Sequence, residues 1–219
     1  MPDAVKDAAA GAAPSARPTN VSRTTFHVAS GVVSLALLRL APERWWLVAI
    51  SGSIAASGYA MEIARRRSDA VNARLMRLFS AIAHPHERHQ VNSSTWYVSA
   101  LLLMAIAFPL RAAELGVIVL ALADPAAGIV GRRWGRTSLR ANRSLEGTAT
   151  FALVAFAVAA GWMVLMQGAT WSTALAIASV VAVVGAAVEL VSTRIDDNFG
   201  VPVSCALAAA AMQRLLGGG

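Results

Sequence analysis

Seven apolar runs, joined by short connections that carry most of the charge, constrain this chain more than any other feature. They are Thr25–Leu40, Trp45–Ile63, Thr95–Leu110, Ala112–Gly131, Ala149–Met166, Trp171–Val191 and Val201–Leu216. At about 1.5 Å of rise per residue the longest reach the roughly 30 Å of a hydrocarbon core. The shorter ones fall several ångströms short and need partners, flanking polar residues or local thinning. Backbone groups facing lipid must be bonded within their own segment, so these runs predict helices. Only 14% of the 219 residues are charged, against about a quarter in a soluble domain. The expected class is therefore all-α: a multi-pass integral membrane bundle of about seven transmembrane helices.

The connections set an orientation. Lysine and arginine together number 19 against 12 acids, for a net charge of +7, and Lys6 is the one lysine. Fifteen of these cations lie before the first run or in the second, fourth and sixth connections, and four lie on the opposite side. The positive-inside rule then puts the N-terminus and the arginine-rich fourth connection in the cytoplasm, in what we read as a bacterial inner membrane. Trp45, Trp46 and Trp171 would mark the outer interface, and Trp96 and Trp134 the inner one. Without a stacking platform or recognition-helix pattern, the basic charge does not point to nucleic acid. Cys205, the single cysteine, lies in an apolar run and reads as a small buried hydrophobe.

Residues 1–22 are rich in Ala, Pro and Ser up to Asn20 and lack an apolar signal core, so they read as a disordered cytoplasmic tail. Residues 23–219 read as one membrane-embedded catalytic domain. In the second connection Val71, Leu75, Leu78, Phe79 and Ile82 share one helical face beside Arg74 and Arg77. That pattern predicts a basic amphipathic helix, lying on the inner leaflet or packed against the bundle. His84, His86 and His89 follow without convincing metal-ligand spacing and read as surface residues.

The chemistry concentrates between Ala123 and Thr148. Gly128, Gly131 and Gly135 permit close backbone approach and amide donation to an anion. Arg132, Arg133, Arg136, Arg140 and Arg143 supply forked donors suited to phosphate oxygens. Asp124 and Glu146 flank them, and phosphate-borne Mg²⁺ usually takes one or two protein carboxylates. This combination suggests a polyphosphate site at a membrane surface. Asp124 falls roughly 10 Å inside the cytoplasmic end of its run, where a carboxylate is costly unless it faces a cation or water. Pro125 removes a backbone donor, so a broken helix lining a cavity is expected there. Near the end of the sixth run come Glu189 and then Asp196, Asp197 and Asn198, which offer oxygen ligands or a base. Those three also suit an Asx turn or a helix cap. Glu62 and Arg65 read as an i,i+3 ion pair.

Taken in order, the residues resemble the CTP-dependent lipid kinases, the polyprenol kinase family of dolichol, phytol and diacylglycerol kinases. The likeness rests on Arg23–Phe26–His27–Gly31, Glu62, Glu87 with Ser94–Thr95–Trp96–Tyr97, and Asp124–Pro125–Ala126 with Gly128, Gly131 and Gly135. It continues through Arg143–Ser144–Leu145–Glu146–Gly147–Thr148, Glu189, and Asp196–Asp197–Asn198 with Pro202. Family members commonly have Gly where this chain has Ala123, and Lys where it has Arg143.

The resemblance implies γ-phosphoryl transfer from CTP, or another nucleoside triphosphate, to a membrane alcohol such as a polyprenol, phytol or diacylglycerol. It implies a cytoplasm-facing site in contact with membrane lipids, with Mg²⁺ on Asp124, Glu146 and Asp197. Phosphates would meet Gly128, Gly131, Gly135 and Gly147 together with Arg132, Arg136 and Arg143. Ser144 and Thr148 would position a phosphate or a metal-bound water. Asp196 or Glu189 would accept the alcohol proton, and His27, Glu62, Glu87 and Asn198 would complete the surroundings. A CDP-alcohol phosphotransferase or cytidylyltransferase is a rival, but Asp124–Pro125–Ala126–Ala127–Gly128 lacks the D-x₂-D-G-x₂-A-R pattern of the former. A transporter using intramembrane acids is a second rival, and no inverted repeat supports it.

Overall fold

A computed structural model describes residues 21–78, 91–140, 143–192 and 195–217, without the side chains of residues 23 and 76. Eight α-helices make up the described residues: α1 Val21–Leu40, α2 Arg44–Arg67, α3 Asp69–Leu78, α4 Ser93–Ala107, α5 Leu110–Trp134, α6 Leu145–Gln167, α7 Trp171–Val191 and α8 Asp197–Gly217. One antiparallel bridge, Ser138 to Ser144, is the β pairing among them. Helices α2, α5, α6, α7 and α8 are long and apolar enough to cross a bilayer, while α1 and α4 are shorter apolar helices. Leu153, Leu165, Val183 and Leu207 point outward and exposed, as expected of a surface whose solvent is hydrocarbon.

Helices α5, α6, α7 and α8 pack as a four-helix core. Helix α1 lies mainly on α5, α4 lies on α8 and α5, α2 lies mainly on α4, and α3 lies on α2. Small residues allow this closeness: Ala155, Ala159, Ala174, Ala178, Ala206 and Ala209 are fully buried. With no hydrophobic drive between helices in lipid, such residues gain contact by letting backbones approach. A methyl added at Gly116 would fall 2.3 Å from the Pro202 carbonyl oxygen, and one at Gly31 would fall 2.3 Å from Ala121 Cβ.

Each expected apolar run is a helix, with shifted ends. Pro109 separates α4 from α5, so Leu110 begins α5 instead of ending α4. The final helix starts at Asp197, four residues before the expected Val201, and Pro202 lies inside it. The expected break at Asp124–Pro125 does not occur, because α5 runs through Pro125 for 25 residues. A proline costs one backbone bond, and the packing of a helix buried along most of its length outweighs that loss. Since α5 continues to Trp134, Asp124 lies about 15 Å from its end, deeper than the shorter run implied. In the second connection α3 ends at Leu78 with Val71 and Leu78 exposed. Residues 1–20, Phe79, Ile82, His84, His86, Glu87 and His89 lie outside the described residues, and with them all of the expected tail but Val21 and Ser22, which begin α1.

Gly116→Ala is expected to lower thermal stability in detergent by about 1–3 kcal/mol, because a backbone oxygen blocks the methyl. Gly161→Ala, in open space, should leave stability unchanged or raise it by about 0.5–1 kcal/mol. Equal melting shifts for the two would refute the close α5–α8 contact.

Candidate active site

The helices alternate in direction, so one end of the bundle collects the start of α1, the end of α2, the starts of α4 and α6, the ends of α5 and α7, and the start of α8. The connection from α5 to α6 is ordered by its own backbone. Leu139 N donates to Arg143 O at 2.7 Å, Leu145 N donates to Thr137 O at 2.9 Å, and Arg143 N donates to Arg140 O at 3.1 Å. This small hairpin holds Arg143 over the bundle end.

Arg143 is the centre of the site. Its Nη1 lies 2.7 Å from Glu189 Oε1 and its Nη2 lies 2.7 Å from Asp197 Oδ2. Burial alone would lower its pKa, but Asp197, Glu189 and then Asp124 outweigh that and hold the guanidinium above its ordinary value. Three carboxylates from α5, α7 and α8 thus act on one cation. Glu189 is almost fully buried, and its Oε2 has no hydrogen-bond partner among the described residues. Asp124 Oδ2 lies 4.0 Å from His27 Nε2, which brings α1 to the group.

Asp196 and Asn198 brace the start of α8. Asp196 Oδ1 accepts from Asn198 N at 3.0 Å and Asn198 Nδ2 at 2.7 Å, and its Oδ2 accepts from Ser93 Oγ at 3.0 Å. Burial and then the Asp197 charge push the Asp196 carboxyl above its ordinary pKa, against these donors. Asn198 Nδ2 also reaches Asp197 Oδ1 at 3.2 Å. The cap reading of this acidic run therefore describes its geometry, and Ser93, which the sequence did not single out, ties it to α4.

The glycines do different work from the amide cradle expected of them. Gly128 and Gly131 lie inside α5, where amides donate to the carbonyl four residues back, and Gly135 N donates to Gly131 O at 3.1 Å. What these residues supply is room. A methyl at Gly135 would fall 2.7 Å from Ser144 Oγ, and one at Gly147 would fall 3.2 Å from Ala127 O, so they let the end of α5 meet the start of α6. The first amides of α6 are also engaged. Leu145 N bonds Thr137 O, Gly147 N bonds the capping Ser144 Oγ at 3.1 Å, and Thr148 N bonds Ser144 O.

Glu146 is engaged with the connection that leads into α6. Its carboxylate accepts from Thr137 N at 3.2 Å and feels Arg136. Thr148 Oγ1 is buried without a partner among the described residues. Arg132, Arg133, Arg136 and Arg140 are exposed, with Arg133 over the Trp134 ring at 5.0 Å. Glu62 forms the expected pair with Arg65 at 2.6 Å, and it also accepts from Asn92 N at 2.9 Å, which fixes the start of α4. At the opposite end of the bundle, unremarked in the sequence, buried Glu114 gathers Arg39 at 3.2 Å, Trp162 Nε1 at 2.7 Å and Gln167 Nε2 at 3.0 Å.

Among the described residues, no three His, Cys, Asp or Glu side chains form a metal-holding group. A cation carried in on phosphate needs fewer protein donors, one or two carboxylates, and Asp124 and Asp197, which both act on Arg143, would be the ones to supply them.

Removing Arg143 would leave buried Glu189 uncompensated. In a double-mutant cycle on thermal unfolding, Arg143→Ala and Glu189→Ala are expected to couple by about 1–3 kcal/mol, with the double variant more stable than additivity allows. Simple additivity would mean that the ion pair is not formed.

No family model matches the chain and no solved structure matches it. It is 32% identical over 199 residues to a phytol kinase of Synechocystis sp., an alignment covering 88% of this chain and 79% of that protein.

Proposed function

The chain belongs to the lipid kinase family in which that phytol kinase stands, and we propose that it transfers the γ-phosphate of CTP to the hydroxyl of a long-chain lipid alcohol. The observation that carries this reading is the clasp of Arg143 by Glu189 and Asp197 at one end of an apolar bundle, with the charge of Asp124 acting on the same guanidinium. Phosphoryl transfer needs little covalent help from a protein; it needs alignment and neutralisation of charge on the moving group. A water-soluble nucleotide and a bilayer-soluble alcohol can meet where the charged end of a bundle adjoins lipid. The motif resemblance supports CTP as donor, and the arginine-rich face supports cytoplasmic access.

Arg132 and Arg136 carry the nucleotide phosphates in this reading, because they are exposed and the local amides are engaged. At Gly128 a methyl would fall 3.1 Å from Arg132 Nη1, so the absent side chain makes room for that guanidinium. Arg143 spends two of its five N–H donors on Glu189 and Asp197 and keeps others for the transferring phosphate. Asp124 and Asp197 would hold Mg²⁺, which when bound supplies positive charge beside the phosphate. Of the two candidates for receiving the alcohol proton, Asp196 has both oxygens occupied. Glu189 retains a buried oxygen without a partner among the described residues, so this reading gives the role to Glu189.

Purified protein in lipid nanodiscs, given four nucleoside triphosphates in turn and a panel of lipid alcohols, is expected to form lipid monophosphate fastest with CTP. Activity should vanish with EDTA and return with Mg²⁺. Asp124→Asn should lower turnover by at least about 100-fold with melting behaviour retained. Full activity in that variant would remove Asp124 from the reaction centre.

A further inference from the structure

Helices α1 and α2 are joined by residues 41–43 yet diverge, since α1 lies on α5 and α2 lies on α4. Between them, floored by α4, runs a cleft of about 680 Å³. That volume is within the ~300–1,000 Å³ of sites that enclose a whole small molecule. Its lining is sorted by height. Leu37, Leu38, Leu47, Ile50 and Leu101 line the end remote from the acids, while His27, Glu62, Asn92, Ser93 and Asn198 line the other. The cleft is therefore amphipathic along its length, like a molecule with one polar head and a long apolar tail.

The polar end adjoins the site described above. His27 and Asn198 line the cleft, and the same two residues touch Asp124 and Asp197 respectively. Gly31, one turn beyond His27, lets α1 lie against Ala121 and so brings the imidazole to α5. His27 Nε2 lies 3.0 Å from Leu120 O. A carbonyl only accepts, so Nε2 carries the hydrogen, and in the neutral ring Nδ1 is left as an acceptor. Among the described residues lining this end the cation is Arg65, and it is clasped by Glu62. Such an end suits a neutral hydroxyl and not an anionic phospholipid headgroup.

We propose that this cleft receives the substrate of the kinase reading, on which the inference rests: a single-tailed lipid alcohol whose chain lies between α1, α2 and α4 and whose hydroxyl meets His27. Val33 on α1 and Ile54 on α2 line the cleft away from the acids, and both are exposed. Val33 lies about 9 Å along α1 from His27, so a bulky side chain there obstructs a long tail and spares a short one.

The test uses a long-chain isoprenoid alcohol with a diazirine near its far end, photolysed with the full-length protein in nanodiscs without nucleotide. Adducts are expected on α1, α2 and α4, displaced by unlabelled alcohol and not by phosphatidylglycerol. Val33→Trp and, independently, Ile54→Trp should lower labelling and reduce kcat/KM for the long alcohol by at least about tenfold. The KM for nucleotide and the rate with a short isoprenoid alcohol should be unchanged. Adducts spread evenly over the outward faces, or displaced equally by phospholipid, would overturn the proposal, as would unaltered labelling in both variants. Labelling in the cleft by a protein that phosphorylates no alcohol would uphold the cleft and overturn the kinase reading instead.

Discussion

The clasp of Arg143 by Glu189 and Asp197 is the interaction on which the active end of this bundle depends. A carboxylate as buried as Glu189 is tolerated only with a partner, because removing its water is expensive. The partner comes from a connection, not a helix, and it is held at the acid by backbone bonds that tie Arg143 to Leu139 and Arg140, and Leu145 to Thr137. That arrangement in turn requires the end of α5 to touch the start of α6, where Gly131, Gly135 and Gly147 leave no side chain in the way. Two ion pairs of one guanidinium thus tie α7 and α8 to the turn that leads into α6, and Asp124 on α5 adds its field to the same cation.

The two ends of the bundle divide the labour. At the end remote from the acids, Glu114 binds Arg39, Trp162 and Gln167, so α1, α5 and α6 are pinned by a charged group enclosed in polar contacts. At the other end His27 touches Leu120 O and approaches Asp124. Helix α1 is held to α5 at both ends and has little need of α2. The cleft between α1 and α2 follows from that division, because no side chain on either helix has to fill it.

Much of this arrangement was legible in the sequence for one physical reason: a polar group in an apolar run must be accounted for. Asp124, Glu189 and the Asp196–Asn198 run stood out on that ground, and they do come to one end of the bundle. The Glu62–Arg65 spacing likewise specified a pair that the structure contains. The glycines were harder. Amide cradles for anions and close helix crossings ask for the same absent side chain, and only the backbone path shows that Gly128 and Gly131 are inside a helix. Pro125 misled because local propensity says nothing of the packing that carries α5 past it. Glu114 went unremarked because a single acid near a helix start reads as interfacial until Arg39, Trp162 and Gln167, distant in sequence, are seen around it. Ser93 was hidden in the same way, since its partner Asp196 is 103 residues away.

The most direct measurement is transfer of label from γ-labelled CTP into a long-chain isoprenoid alcohol by purified protein, comparing wild type with Arg143→Lys and Arg143→Ala at equal folded concentration. Wild type should label the lipid, Arg143→Lys should retain part of the rate because it keeps the charge without the fork, and Arg143→Ala should transfer almost nothing. Undiminished transfer by folded Arg143→Ala would contradict the placement of the reaction centre at this guanidinium.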